Sequence, residues 1–152
     1  MTRQRNDKAF RWLAVLLAVF MLVSVRLMEK EWFPEALIDF FATDAYLTQP
    51  LPALGISDIL TVFFRYAVNS VISVILLYLL FRDRELTLWS VKFYVWAGIF
   101  LIIAYVFLLR HYEAGHYRLL FYVRRMLIHP LFLFILIPAF YFLRTDKSSS
   151  AA

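Results

Sequence analysis

Residues 59–81 read ILTVFFRYAVNSVISVILLYLLF, an apolar run interrupted by one arginine and one asparagine. A helix needs about 20 mainly apolar residues to cross a bilayer core of about 30 Å, so this run is long enough to span a membrane. The sequence lacks the alternating pattern of membrane β-barrels, and an open sheet would leave its backbone unpaired in lipid. The run therefore predicts a transmembrane helix.

Three further apolar runs lie on either side of this segment. Together the four runs predict spans at about 10–28, 59–81, 91–109 and 118–143. The last one contains Pro130 and Pro138, each of which removes a backbone hydrogen bond, so we expect a kinked helix that begins near Tyr117. The sequence predicts an all-α integral membrane protein: a four-transmembrane-helix bundle in one domain, residues 1–145, followed by a disordered cytoplasmic tail, residues 146–152.

The composition excludes several classes of protein. Of 152 residues, 63% are hydrophobic and 18% are charged, whereas soluble domains average about 45–50% and 25%. The absence of cysteine excludes disulfides and thiolate metal sites, and three glycines form no phosphate-binding loop. The basic residues flank the spans instead of forming one stripe, which argues against nucleic-acid binding. The sequence predicts no cofactor, and its expected surroundings are the lipid bilayer.

The segment between the first two spans is more than a linker. Residues 32–41 read WFPEALIDFF, in which Pro34 suits the first turn of a helix. Leu37, Phe40 and Phe41 would share one side of that helix, with Trp32 at headgroup depth. We therefore expect a short interfacial helix in the first external loop.

The distribution of lysine and arginine predicts the orientation. The amino-terminal segment, the connection between spans two and three and the carboxyl-terminal segment hold nine of the sixteen Lys and Arg residues, against six on the other side. Because positive residues favour the cytoplasmic side, both termini of this multi-pass membrane protein are expected in the cytoplasm. The last external loop, 110–125, departs from this rule with four arginines, which suggests that an acidic first loop lies over it.

Two sets of polar side chains lie on helix faces near the predicted outer end. The first set is Arg65, Asn69 and Ser73, and the second is Arg118, Tyr122, Arg125 and His129. Each set keeps the spacing of one helix face, and an intramembrane arginine is costly enough to suggest a function. If the faces meet, Arg65, Asn69, Arg118, Tyr122, Arg125 and His129 form a substrate-binding or partner-binding pocket. Arginine forks suit carboxylate or phosphate, so an anionic lipid or a peptide carboxylate is the expected ligand.

A structural interpretation of the same residues stays open. The outer arginines, including Arg124, can extend singly to the headgroups, and Asn69 can tie neighbouring helices together. His111 and His116 flank Glu113, but their five-residue spacing does not match helical zinc pairs, so no metal site is predicted.

The last third of the chain resembles a known family. LFYVRRMLIHPL at 120–131 and IPAFY at 137–141 are similar to the carboxyl-terminal signature of exosortase F-associated proteins, and FRYAVN at 64–69 resembles their other characteristic stretch. These are small membrane proteins of Bacteroidota encoded near an exosortase-family enzyme. Exosortases are thought to process sorting tails with a cysteine, an arginine and a histidine. The resemblance therefore implies an exosortase-family membrane protein as partner.

Three functions remain open from the sequence. The first is a non-catalytic accessory protein of an exosortase-type sorting system, which binds the enzyme or its sorting-tail substrate at the outer face of the inner membrane. The second is a small membrane enzyme or binding protein for an anionic lipid-linked substrate, with His129 as base. The third, a subunit of a carrier, is disfavoured because no paired intramembrane acids are present.

Overall fold

The computed structural model describes residues 2–33, 36–43, 49–111 and 117–149. In these residues all regular secondary structure is helical, so the predicted all-α class is confirmed. The helices in chain order are α1 (Thr2–Leu27), α2 (Glu29–Trp32), α3 (Ala36–Ala42), α4 (Ile56–Phe81), α5 (Arg84–His111), α6 (Arg118–Ile128) and α7 (Leu131–Ser149).

Three of the described helices are long and apolar enough to cross a membrane. They are α4, α5 and the part of α1 from Lys8 to Leu27. The pair α6 and α7 meets the same criterion only as Arg118–Ile128 with Leu131–Leu143, which are bent by 61°. The described residues therefore include three helices long and apolar enough to span a membrane, or four spans if the bent pair forms one.

Helix α4 lies at the centre and packs against α1, α5, α6 and α7. Its buried side chains recur every three or four residues, which is the spacing of one helix face. They are Val62, Arg65, Tyr66, Asn69, Ile72, Ser73, Leu76 and Leu77. Arg65, Asn69 and Ser73 of α4 therefore lie in the interior of the fold, where the other helices cover them.

The contact between α4 and α5 depends on one glycine. The Tyr66 hydroxyl donates to the carbonyl oxygen of Tyr94 at 2.6 Å. A Cβ atom at Gly98 would lie only 2.5 Å from Cε1 of Tyr66, so the aromatic ring occupies the space that any other residue would need. This close approach fixes the register of α5 against the buried face of α4.

The connection between α4 and α5 is tighter than the sequence predicted. Arg82 ends α4 in the left-handed region, with φ 51° and ψ 34°, and its N–H donates to the carbonyl of Tyr78 at 2.8 Å. Oδ1 of Asp83 accepts from the backbone N–H of Glu85 at 2.8 Å, which caps the next helix. Helix α5 therefore begins at Arg84, seven residues before the predicted start of the span at 91.

The predicted kink in the fourth span is a complete break. His129 has an extended backbone, with φ −110° and ψ 144°, and it separates α6 from α7. The ring of Pro130 disfavours a helical conformation at the preceding residue and supplies no N–H to continue the ladder. Pro138, by contrast, lies inside α7. Helix α6 begins where the fourth span was expected to begin, because Tyr117 is its N-cap.

The predicted short helix in the first loop is present as α3. Its proposed start at Pro34 lies outside the described residues. Leu37 is fully buried, and the ring of Phe40 meets Tyr117 edge-on with 5.8 Å between centroids. Phe41 contacts Phe121 at 5.4 Å. The apolar side of α3 is therefore covered by α6 and its N-cap, so this helix packs on the protein itself.

The carboxyl-terminal helix extends further than predicted. The backbone of α7 is helical to Ser149, so residues 146–149 differ from the predicted disordered tail. No glycine or proline follows Pro138 to end the helix. The rest of the predicted tail, 150–152, lies outside the described residues.

Candidate functional site

Arg65 lies on the buried face of α4 with only 1% of its surface exposed. Its Nη2 atom donates to Oε2 of Glu29 at 2.5 Å. Its Cζ atom lies over the ring of Phe33, 5.9 Å from the centroid. Glu29 and Phe33 are four residues apart at the two ends of α2, so one helical turn brings a carboxylate and an aromatic ring to the same guanidinium.

Glu29 serves as the counterion of more than one arginine. Burial acts to raise the pKa of Glu29, but the hydrogen bond from Arg65 and the positive charges of Arg65, Arg124 and Arg26 outweigh it. The net result is a pKa below the ordinary value of 4.5, so this carboxyl is ionised at neutral pH. We call Glu29, Arg65 and Arg124 the Glu29 cluster.

The buried face of α4 holds hydrogen-bonding capacity that the described part of the chain does not use. Nε and Nη1 of Arg65 have no hydrogen-bond partner there, and neither has Oδ1 of Asn69. A guanidinium has five N–H donors, and a buried donor left unpaired costs about 1–3 kcal/mol. The salt bridge with Glu29 therefore leaves other N–H donors of Arg65 without an acceptor among the described residues.

Arg124 enters the cluster from α6. Only 6% of its surface is exposed, and its Cζ atom lies 5.6 Å from the centroid of the Phe41 ring on α3. Leu120, Arg124 and Leu127 follow at the spacing of one helix face, and all three are buried. The two leucines bury this face of α6 inside the fold, and the arginine between them is buried with them.

Asn69 joins α4 to the broken span. Its Nδ2 atom donates to the carbonyl oxygen of Ile128 at 2.9 Å. In an uninterrupted helix that carbonyl would accept from the N–H four residues later, but the chain changes direction at His129 and Pro130. The amide therefore satisfies an acceptor that the break exposes at the end of α6.

A cleft of about 470 Å³ opens beside Asn69, between α1, α4 and the broken span. Most of its lining is apolar: Val19, Leu22, Val23, Val25, Leu76, Ile128, Pro130, Leu131, Leu133, Phe134 and Ile137. The polar lining residues are Arg26, Asn69, Arg125 and His129. The cleft therefore combines an apolar wall with two arginines and a histidine.

Arg26 and His129 connect two sides of this cleft. Nη1 of Arg26 lies 2.7 Å from Nδ1 and 2.9 Å from Nε2 of the His129 ring. A guanidinium only donates hydrogen bonds, so the ring nitrogen that it contacts acts as the acceptor. This contact ties the end of α1 to the break between α6 and α7.

The structure divides the residues predicted to form one pocket. Asn69, Arg125 and His129 line the cleft, and Arg65 lies in the neighbouring Glu29 cluster. Arg118 and Tyr122 are exposed and lie in neither place, and 59% of the Tyr122 surface is accessible. The expected meeting of all six side chains is therefore not observed.

Three charged residues at the site were not among the predicted ones. Arg26 and Arg124 were interpreted as extending to the headgroups, and Glu29 was counted only as one acid of the first loop. Among the described residues no group of three or more His, Asp or Glu side chains is placed to hold a metal ion. Glu113 and His116 lie outside those residues.

Comparison with known proteins identifies no relative. No protein-family model, no curated protein and no solved structure matches this chain.

Proposed function

We propose that this chain is a non-catalytic accessory protein of an exosortase-type sorting system, located in the inner membrane with both termini in the cytoplasm. In this role it binds the enzyme, or the sorting tail that the enzyme processes, at the outer face. The observation that carries the proposal is the burial of Arg65, which keeps free donors beside a carboxylate of its own chain. The resemblance of residues 64–69 and 120–141 supplies the identity of the partner.

A buried arginine with one carboxylate partner suits recognition of a second carboxylate. Removing a guanidinium from water costs several kcal/mol unless charges and hydrogen bonds compensate. Glu29 offers a single hydrogen bond from the partly exposed side, where 32% of its side chain is accessible. A carboxylate from a partner that approaches along this side supplies acceptors for the remaining donors.

The surroundings of His129 favour binding over catalysis. A histidine acts as a stronger general base when a carboxylate orients it and stabilises its protonated form. The ring of His129 instead contacts the guanidinium of Arg26, which is not the carboxylate that this catalytic arrangement requires. This arrangement supports an accessory role over an enzyme acting on a lipid-linked substrate.

The proposed orientation predicts the outcome of cysteine labelling. The chain has no cysteine, so single-cysteine variants report one position each. In intact cells a membrane-impermeant maleimide should label Gly115→Cys, in the predicted last external loop, and should label Arg84→Cys only after the membrane is permeabilised. The opposite pattern would place both termini outside and would contradict the proposed location.

The proposed partnership predicts co-purification that depends on Arg65. The tagged protein, co-expressed with the exosortase-family enzyme of the same genome, should retain that enzyme in mild detergent. Arg65→Leu should reduce the retained enzyme at least tenfold, whereas Arg110→Leu, at an exposed arginine on the same predicted side, should not. Arg65→Lys keeps the charge but loses the planar fork, so it should recover only part of the binding.

Two outcomes of that experiment would contradict the proposal. If the unaltered protein retains no exosortase-family enzyme, the accessory role is wrong. If Arg65→Leu retains as much enzyme as the unaltered protein, the buried arginine takes no part in it. Equal elution volumes of the two proteins in size-exclusion chromatography ensure that the comparison is between folded proteins.

A further inference from the structure

The cleft beside Asn69 has its polar groups at one end and its apolar wall at the other. On α1 it runs from Arg26 back to Val19, and on α4 it runs from Asn69 to Leu76. Each of these segments covers seven residue steps, or about 10 Å at 1.5 Å per residue. On both helices, the residues that line the cleft therefore begin at its polar end and extend about 10 Å into it.

The broken span repeats this arrangement as the third wall. Its contribution runs from His129, at the break, to Ile137 on α7. These eight steps correspond to about 12 Å. Polar groups on three helices meet at one level, and the cleft below them is apolar on all three sides. This is the shape expected for an amphiphile with a polar head and an apolar chain.

The charge at the polar end of the cleft indicates which kind of headgroup can bind there. Arg26 and Arg125 line the cleft there, and the described residues that line it include no acidic side chain. Glu29 is already the counterion of Arg65, with which it forms a 2.5 Å salt bridge. The contact with His129 uses one nitrogen of Arg26, so other N–H donors of that guanidinium remain for a ligand. Two arginines suit a phosphate, which accepts several charge-assisted hydrogen bonds.

The volume of the cleft decides between a lipid chain and a protein helix. A transmembrane helix is about 10 Å wide and 30 Å long, which gives a cylinder of about 2,400 Å³. The cleft holds about 470 Å³, so a sorting tail does not fit inside it. An acyl chain is a thin flexible rod, and part of one chain fits. The cleft is therefore too small to enclose a partner helix.

We propose that this cleft is a binding site for an anionic phospholipid. One acyl chain lies between α1, α4 and α7, and Arg26 and Arg125 bind the headgroup phosphate at the polar end. His129 orients Arg26 toward that phosphate. This site does not require the sorting role, and it adds a ligand to the accessory protein proposed above.

Native mass spectrometry of the full chain in dodecyl maltoside tests this site. The probes are palmitoyl-oleoyl phosphatidylglycerol, which is anionic, and the matching phosphatidylcholine, which is zwitterionic. We expect one phosphatidylglycerol to be retained, with at least a tenfold preference over phosphatidylcholine. The double variant Arg26→Gln with Arg125→Gln should lose that preference and retain the two lipids equally.

A second pair of variants tests whether the chain occupies the cleft. Val23 lines the cleft and is 46% exposed, so Val23→Trp fills the cavity without disturbing the core. Val95 on α5 is 54% exposed and does not line the cleft, which makes Val95→Trp the matched control. We expect Val23→Trp to lose the retained lipid and Val95→Trp to keep it.

Three results would overturn the lipid site. The first is equal retention of phosphatidylglycerol by Val23→Trp and the unaltered protein. The second is displacement of the lipid by glycerol phosphate alone at similar concentration, which would mean that the arginines bind a free phosphate and the cleft contributes nothing. The third is a dimer that Val23→Trp dissociates, which would mean that a second copy of the chain covers the cleft.

Discussion

Glu29→Gln lowers the free energy of unfolding by about 3 kcal/mol, because it leaves the guanidinium of Arg65 buried without a counterion. Removing one partner of a buried ion pair typically costs about 3–5 kcal/mol, and the partial exposure of Glu29 places the expected value at the lower end. Titration with sodium dodecyl sulfate in mixed micelles, followed by circular dichroism, measures this change.

The reverse substitution should cost less. Arg65→Leu leaves Glu29 without its hydrogen-bonded partner, but 32% of its side chain is accessible, so water hydrates the carboxylate or a proton neutralises it. The double variant Glu29→Leu with Arg65→Leu replaces both charges by apolar groups and should regain most of the stability that Glu29→Gln loses. A double variant as unstable as Glu29→Gln would show that the loss comes from the missing pair itself and not from a guanidinium left buried without a counterion.

The same segment supplies a matched control. Lys30 and Asp39 form an ion pair with a comparable distance, 2.6 Å, but 65% and 81% of their side chains are exposed. Exposed pairs contribute little, so Asp39→Asn should leave the free energy of unfolding nearly unchanged. If both substitutions had the same effect, burial would not be the cause of the difference.

The dependence on pH should also distinguish the variants. The folded-state pKa of Glu29 lies below its ordinary value of 4.5, so its contribution to stability is present above about pH 4.5. That contribution is lost as the pH falls through the lower, folded-state value. The unaltered protein should therefore lose stability in acid more steeply than Glu29→Gln, which has no carboxyl at this position.

Apolar run length was sufficient to predict the helices of this chain. The spans around α1, α4 and α5 were predicted because mainly apolar runs of about 20 residues have few alternatives in lipid. The limits were less accurate, because a helix continues into polar residues until a cap ends it. At the start of α5 that cap is Asp83, a local hydrogen-bonding feature that apolar run length does not record.

The candidate site was predicted only in part, since sequence periodicity defines helix faces but not which face turns inward. Arg118, Tyr122 and Arg125 share a polar stripe on α6, and polar stripes in membrane helices are expected to face the interior. The leucines at 120 and 127 form a competing apolar face, and the structure buries that face together with Arg124. Arg118 and Tyr122 are left exposed on the opposite side of α6.

Glu29 was missed for a different reason. Charge counting used it only to orient the chain, although it follows directly after α1, where the helix ends on the same side as Arg65. A buried arginine needs a nearby acid, and the acids closest to a span end are the first candidates. A search for acids next to the span ends would have identified Glu29. It would not have predicted the turn at 28–29 that directs Glu29 toward α4.

The second large effect is expected at Asn69, where Asn69→Leu should cost about 2 kcal/mol. The substitution removes the only amide that donates to the Ile128 carbonyl among the described contacts, and a buried acceptor left unpaired costs about 1–3 kcal/mol. Unfolding in mixed micelles measures the loss. Thr61→Val, an isosteric change at a partly buried position on the same helix, should stay within about 0.5 kcal/mol and serves as the control.

The cause of this loss is the break at Pro130, so removing the break should remove the need for Asn69. In Pro130→Ala the backbone regains an N–H, and α6 can continue into α7 with the Ile128 carbonyl bonded inside the helix. Asn69→Leu should then cost less than 1 kcal/mol in the Pro130→Ala background, a coupling that a double-mutant cycle measures directly. Equal costs in both backgrounds would mean that Asn69 stabilises the fold through packing and not through the exposed carbonyl.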